Sequence, residues 1–548
     1  MQLASNGAAG FQNYHSPPLP DCTIDAAMSP HATKEFGSPT LETGASQSLH
    51  EGDMYGSLRK GDPVKFFSKE CAGIVAATIA SAFSTECLNS VIEPMLKHHF
   101  SLDGAELAAV LRLISMPSTF CFFFGMLSDC YPIMGFRRKA YLIICLMVTV
   151  LCYFVLSVLN AYAEGLEEGT GGTGLVVGIV AFATVASTAN MVTFMCVRTR
   201  VIELSQRESL AMRGAIIGTY VMFRFAVCMV TYTCVYAVRS SAIYHSTEMA
   251  LYGILVAFSI PLVWKVWQEK YYSLSTSMKT RGQILWKVMQ QKAVWTILLF
   301  LCISTFFNSI KFSDPDLLIR FWAGVNNDNM LLQQVMTYGV MSLTVVVWRY
   351  FFMNRPWRTF FAMSTVILVI SQCIVAIFVS LDILRSPYFY RVMTIFPSIA
   401  TCIYWLATIV PLTEIIQEGS EGAIVGLMMS LHYSVLIFVQ TNSAGLFRGT
   451  DFYDPTEFVS DSPKVRADVL LTVLLNYGIN ALALIGIYFL PQQKLHTQQL
   501  RSFGGYTKCA SAAILAFIVT LFVYSLVVTL LALLPSTSCL GIAGGEGC

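Results

Sequence analysis

The sequence predicts an all-α polytopic membrane protein: two bundles of six transmembrane helices, with one additional transmembrane helix at the C-terminal end. Three observations predict it. Of the 548 residues, 55% are hydrophobic and only 12% charged, about half the charged share of a globular chain, so the main solvent is lipid. Thirteen apolar runs approach the roughly 20 residues that cross a hydrocarbon core as helix. Lys and Arg gather in alternate loops between those runs.

The elements follow in order. Residues 1–65 are polar and rich in Ser, Thr and Gly, with Pro17, Pro18, Pro20, Pro30 and Pro39; they read as a disordered cytosolic tail without the apolar core of a signal peptide. Apolar runs at 70–93, 106–128, 138–160, 174–197, 214–238 and 247–267 make an N-terminal six-helix bundle over 66–267. A basic cytoplasmic loop, 268–292, separates it from a second bundle over 293–490, with runs at 293–312, 330–353, 358–381, 389–413, 422–447 and 466–490. Residues 491–507 form a cytoplasmic linker, 508–534 the additional helix and 535–548 an external tail. Barrel strands would be about half as long and strictly alternating, so a β-barrel is excluded.

Loop charge orients the chain. With the N-terminus in the cytosol, the inner loops hold Arg137, Arg138 and Lys139, then Arg198, Arg200, Arg207 and Arg213, then Lys265, Lys270, Lys279, Arg281, Lys287 and Lys292. Arg349, Arg355, Arg358, Lys494, Arg501 and Lys508 continue the series, whereas the loop between runs three and four has Glu164, Glu167 and Glu168 and no base. An odd number of spans then puts the C-terminus outside, where Cys539 and Cys548 are expected to form a disulfide.

The segment Gly125 to Lys139, GMLSDCYPIMGFRRK, joins runs two and three. Gly125 permits close backbone approach, Asp129 ends the helix, and the bases follow. A carboxylate and a basic cluster across one short turn suit a latch between helix bundles. Glu414, Glu418 and Glu421, acids without neighbouring bases, are the expected partners of Arg137 and Arg138.

Other chemistries find little support. A net charge of +2 gives no electrostatic footprint for nucleic acid. There is no GxSxG, P-loop, HExxH or CxxC, so no cofactor or metal is implied. Most of the 16 Cys lie within apolar runs and read as small buried thiols.

Six spans, a basic loop and six spans resemble the plan of the major facilitator superfamily. The motif GMLSDCYPIMGFRRKAY resembles the signature of the folate-biopterin transporter family: a Gly-x-Leu-Ser-Asp run, a Pro-x-x-Gly-aromatic step, then consecutive bases. Gln206-Arg207-Glu208, Arg213-Gly214, Tyr220 and Arg224 are similar to that family's fourth-to-fifth span region. Glu418-Gly-Ser-Glu421-Gly422, Gly426-Leu427 and His432 are similar to its tenth-to-eleventh connection. Pro491-Gln-Gln-Lys494 and the Cys539–Cys548 end resemble an oomycete-type branch. The resemblance implies a secondary transporter of a small organic solute, folate- or pterin-like, working by alternating access. Two departures stand out. The family's Pro-Trp-x-x-Lys of span two is Pro117-Ser118-Thr119-Phe120-Cys121 here, and its two span-four Asp positions fall on Phe194 and Arg198.

Arg224 leads the expected binding residues. Ten residues into its span it lies about 15 Å deep, where a charge must face protein or a water-filled cavity. Its planar fork suits a carboxylate, and Tyr220 is one turn away on the same face. A structural ion pair is the other reading, with Glu86 as the partner on depth. Glu86, Asn89 and Glu93 share a helical face, and Glu86 is the carboxyl expected to take up a coupling proton. Arg112 and Glu93 are expected to pair. His432, Gln440, Asn442 and Ser443 make span eleven polar, and Tyr404 and Trp405 offer faces to a flat ring. A transporter-like sensor or scaffold that moves nothing, and a polytopic membrane enzyme, are the alternative readings.

Overall fold

The computed structural model describes residues 56–533 and 537, apart from 99, 101, 103, 167–171, 242, 273–276, 326–329 and 444–460. The N-terminal tail up to 55, the acids Glu167 and Glu168, and the Cys539–Cys548 pairing lie outside the described residues.

Twelve described helices are long and apolar enough to cross a membrane, and the shorter apolar helix Lys292–Asn308 takes the place of the seventh run. In order they are span one Ala72–Lys97, two Glu106–Cys130, three Lys139–Glu164, four Gly174–Ser205, five Ala215–Ser240 and six His245–Val266. After Lys292–Asn308 come eight Leu331–Phe352, nine Trp357–Ser380, ten Pro387–Ile415, eleven Glu421–Ser443, twelve Pro463–Tyr488 and thirteen Lys508–Leu533.

Local chemistry sets the irregularities. Pro117 lacks an N–H, and span two tightens to a 3₁₀ turn at Met116–Phe120. Span eight ends in a π-helical turn, Trp348–Phe352, that seats Trp348 against span five; a Cβ on Gly218 would lie 3.0 Å from its ring. Span ten is broken into Pro387–Met393, Phe396–Ala407 and Leu412–Ile415.

In the first bundle, span one packs on four, five and six, and span three on four and six. In the second, span seven packs on eleven and twelve, and nine on ten and twelve. The bundles meet along two seams, five against eight and two against eleven, and span thirteen leans on two and eleven together. There the Phe120 and Phe522 rings stand 4.7 Å apart, and the Tyr524 hydroxyl donates to Asn442 Oδ1 at 2.6 Å.

The loop and linker at the basic end are more ordered than the sequence suggests. The inter-bundle loop contains the helix Met278–Met289, and the linker forms the helix Lys494–Phe503. They are stitched together by Lys292 N–H to Gly505 C=O at 3.2 Å and Thr507 N–H to Gln290 C=O at 2.8 Å.

Candidate functional site

At the basic end, three helix N-termini are capped by carboxylates from outside the helix they start. Backbone N–H groups of a first turn have no intrahelical acceptor and attract negative charge. Glu269 accepts from the amides of Arg137, Arg138 and Lys139 at 2.9, 2.9 and 2.8 Å, starting span three. Glu208 accepts from Gly214 and Ile216 at 2.9 and 3.0 Å, starting span five. Burial pushes the Glu208 carboxyl above the usual range, with these bonds and Ser205 pulling the other way. Asp129 accepts from Gly422 at 3.3 Å and Ala423 at 2.8 Å, starting span eleven in the opposite bundle.

Around Asp129 lies an ionic cluster. Arg138 pairs with Asp129, both 1% exposed, and lies 3.8 Å from Glu203 and from Glu421. Arg59 joins Glu421, and Arg200 holds Glu203 at 2.7 Å. Glycines let spans two and eleven close over it. A Cβ on Gly125 would meet Gly422 O at 2.1 Å, and one on Gly426 would meet Cys121 O at 2.4 Å.

A second cross-bundle lock lies beside span ten. Arg213 and Glu414, both fully buried, pair at 2.8 Å. Gln206 donates to Thr413 and Ile416 carbonyls at 3.0 and 2.9 Å, closing the end of span ten. The linker helix seals this lock: Gln498 donates to Glu414 at 2.8 Å, Arg501 to the Glu414 carbonyl at 3.0 Å. Lys494 reaches Leu210 O at 3.2 Å and Asn354 Oδ1 at 3.0 Å, bridging the bundles. Burial pushes the Lys494 ammonium down to about 8, with Glu414 and Glu208 raising it and Arg213 lowering it further.

Of the residues expected in a latch, Gly125, Asp129 and Arg138 do meet span eleven of the opposite bundle, while the acid and the second base differ. Glu421 meets Arg138, because span eleven begins at Glu421 and turns that side chain inward; Glu418, in the preceding turn, is exposed and makes none of these ion pairs. Arg137 gives only its backbone to Glu269 and lays its guanidinium 3.9 Å over the Tyr272 ring.

Deeper in, a cavity of about 280 Å³ lies mainly within the second bundle and is walled on one side by span four; it is slightly smaller than the roughly 300 Å³ at which small-molecule sites begin. Phe194 and Arg198 of span four face Tyr404, Trp405 and Thr408 of span ten and His432 of span eleven across it. Arg198 donates to the Thr408 hydroxyl at 2.9 Å and to its carbonyl, while its Nε has no partner. The Phe194 and Trp405 rings lie 5.6 Å apart. His432 Nδ1 is 3.2 Å from the Tyr404 hydroxyl and 3.4 Å from that of Thr305.

None of Arg224, Tyr220, Glu86, Asn89 and Gln440 lines this cavity. Arg224 stands behind its wall: its Cζ is 4.3 Å from the Phe194 centroid, and Nη1 is 3.4 Å from Ser81 Oγ. Tyr220 is fully buried beside Phe66, and its hydroxyl has no partner. Glu86 makes no ion pair with Arg224; it accepts from Tyr232 at 3.0 Å and Tyr338 at 3.1 Å. Asn89 and Gln440 are exposed. Arg112 donates to the Gln440 carbonyl at 3.4 Å and does not pair with Glu93. The residue sequence reasoning missed as a cavity residue is Arg198, counted there as a loop base. Span four runs unbroken to Ser205 and carries it inside. The uninterrupted helix-forming run from Val197 to Ser205, without Gly or Pro, was the available signal.

The BT1 family profile matches residues 83–448, well over half of the chain. The chain belongs to the BT1 family, the folate-biopterin transporters. No curated protein sequence matches it. Among solved structures, the proton:xylose symporter XylE bound to 6-bromo-6-deoxy-D-glucose aligns with a TM-score of 0.53 at 13% identity, covering 78% of this chain and 98% of that one. A bacterial homologue of the iron transporter ferroportin in its outward-facing state aligns with a TM-score of 0.53 at 12% identity, covering 76% and 98%. A second D-xylose-proton symporter structure gives 0.53 at 13% identity, covering 77% and 97%. The BT1 protein therefore has the major facilitator fold, six helices plus six, with the extra C-terminal helix, and is a transporter, not an enzyme. In this BT1 member the two positions expected to be Asp, Phe194 and Arg198, both face the cavity.

Proposed function

We propose that the protein carries a small organic anion bearing a flat ring, by alternating access between its two bundles. The observation that carries this reading is Arg198. It lines the central cavity, stacked near Phe194 and Trp405, and among the described residues no carboxylate lies at ion-pair distance. A guanidinium with a free Nε suits a carboxylate or phosphate oxygen, and the Phe194, Trp405 and Tyr404 rings suit a planar body. Arg224 backs the site with a second positive charge. A folate- or pterin-like solute meets this description, and so does a simpler aromatic carboxylate.

In this reading the basic end is cytoplasmic, the N-terminus is cytosolic, and the bundles span 66–267 and 293–490. The positive-inside bias supports it. The shut basic end is then the cytoplasmic gate, and opening it requires the Asp129 and Glu414 clusters to part.

The test is uptake into proteoliposomes of labelled folate, biopterin and benzoate, with wild type and Arg198→Gln. The expected result is saturable uptake of at least one of the three that Arg198→Gln abolishes while the variant stays folded. Uptake unaffected by Arg198→Gln would overturn the site; a folded wild type that binds and moves none of them would favour the sensor reading.

A further inference from the structure

Two arginines lie near the Phe194 and Trp405 rings, and Glu86 makes an ion pair with neither. Arg198 and Arg224 lie 5.8 and 6.0 Å from the Trp405 ring. Arg224 touches Ser81 of span one, and Glu86 follows five residues on, so the carboxyl lies within about two turns of it. Yet Glu86 is engaged by Tyr232 and Cys228 of span five and by Tyr338 of span eight. The Tyr232 and Tyr338 rings stack at 5.5 Å, 19° from parallel, so the two donors steady each other. The other titratable side chains lining the cavity are Tyr404, Tyr433 and His432, with Tyr220, Cys121 and Cys228 beside the two arginines behind its wall; His432 is already bonded to Tyr404 and Thr305.

Net transport needs the empty site to reorient once per cycle. With a free acid, the arginines would be neutralised on that return leg. Here Glu86 is held by a clamp that joins both bundles and offsets Arg224 in part, whereas Arg198 has no acid partner among the described residues, so the empty site would reorient with an uncompensated cation in a low-dielectric seam. A bound anion removes that barrier. We propose that the protein is an obligate anion exchanger: its site crosses only with an organic anion on Arg198, and each anion moved one way is matched by one moved back. This rests on the anion site proposed above. It gives the counter-anion the part that a coupling proton would otherwise play.

The test uses the full chain in proteoliposomes loaded with labelled folate or labelled benzoate, alongside equilibrium binding of the same probes. Efflux should be faster by about tenfold or more when the outside holds the same unlabelled anion, and a pH gradient should not substitute for it. Tyr232→Phe with Tyr338→Phe releases Glu86 toward Arg224, and efflux into anion-free medium should then appear. Equal efflux with and without external anion, with Arg198-dependent binding intact, overturns exchange and leaves the anion site standing. A full gap persisting in the double Tyr variant overturns the assignment of the barrier to Glu86. Loss of Arg198-dependent binding for both probes removes the site and the exchange together.

Discussion

Asp129, at the end of span two, accepts the backbone N–H of Ala423 at 2.8 Å and so starts a helix 294 residues away, in the other bundle. The same carboxylate pairs with Arg138. One side chain therefore serves as ion-pair partner within its own bundle and as N-cap for the opposite one, and it can do both only while the basic end is shut.

Asp129→Asn should loosen that end without unfolding the protein. Arg138 keeps Glu203 and Glu421 at 3.8 Å, so no charge is stranded. The shut state should lose about 1–3 kcal/mol, the worth of a charge-assisted bond. Cysteine probes at the basic end should become more accessible and turnover slower. Unchanged accessibility at both ends would remove Asp129 from the latch.

Gly125→Ala should act in the same direction through shape. Its Cβ would fall 2.1 Å from Gly422 O, backbone against backbone, so spans two and eleven must separate. Gly282→Ala is the control: nothing lies within 4 Å of its Cβ site, and in a helix interior Ala should stabilise by up to about 1 kcal/mol. The pair is read by thermal unfolding together with inter-span distances; equal behaviour of the two would refute the close-approach argument.

Docking of the linker helix should strengthen as pH rises. Lys494 sits near 8 when docked among Glu414, Glu208 and Arg213, against about 10.4 when free. Between those values the undocked state holds the proton more tightly, so raising pH favours docking, and the cost of the charged form is fully present below about 8. Thermal stability from pH 7 to 9.5 should rise in wild type and be flat in this component for Lys494→Met. A fall over that range attributable to Lys494 would contradict the sign.

Arg224→Gln and Glu86→Gln should not rescue each other. Arg224 rests on Phe194, a contact worth about 0.5–2 kcal/mol, while a Gln at 86 can still accept from Tyr232 and Tyr338. The double variant should be no more stable than the less stable single. Recovery in the double would show the two residues to be a structural pair after all.

The Asp129 ion cluster was partly readable because Gly125, Asp129 and Arg138 lie within one short segment. Choosing Glu421 over Glu418 was not readable, since it depends on where span eleven begins, and a helix start three residues earlier or later changes which acid faces inward. Arg198 was hidden for a related reason. Charge counting treats a base near an apolar run as loop, but span four continues to Ser205 and draws it into the seam. Asn89 shares a face with Glu86, as its spacing requires, yet the tyrosine clamp closes over Glu86 and leaves Asn89 exposed. Periodicity gives the face of one helix; what covers that face is decided by the neighbours.

Span thirteen bears on how the molecule moves. It leans on span two and span eleven at once, through Phe522 on Phe120 and Tyr524 on Asn442. That seam is roofed by span thirteen, whereas no additional described helix leans on spans five and eight in the same way. In the alternating access proposed above, a roofed seam would act as a fulcrum. The bundles should swing about it like covers about a spine, opening wider along spans five and eight. A solute dissolved in the membrane then has one flank, not two, from which to reach the interior.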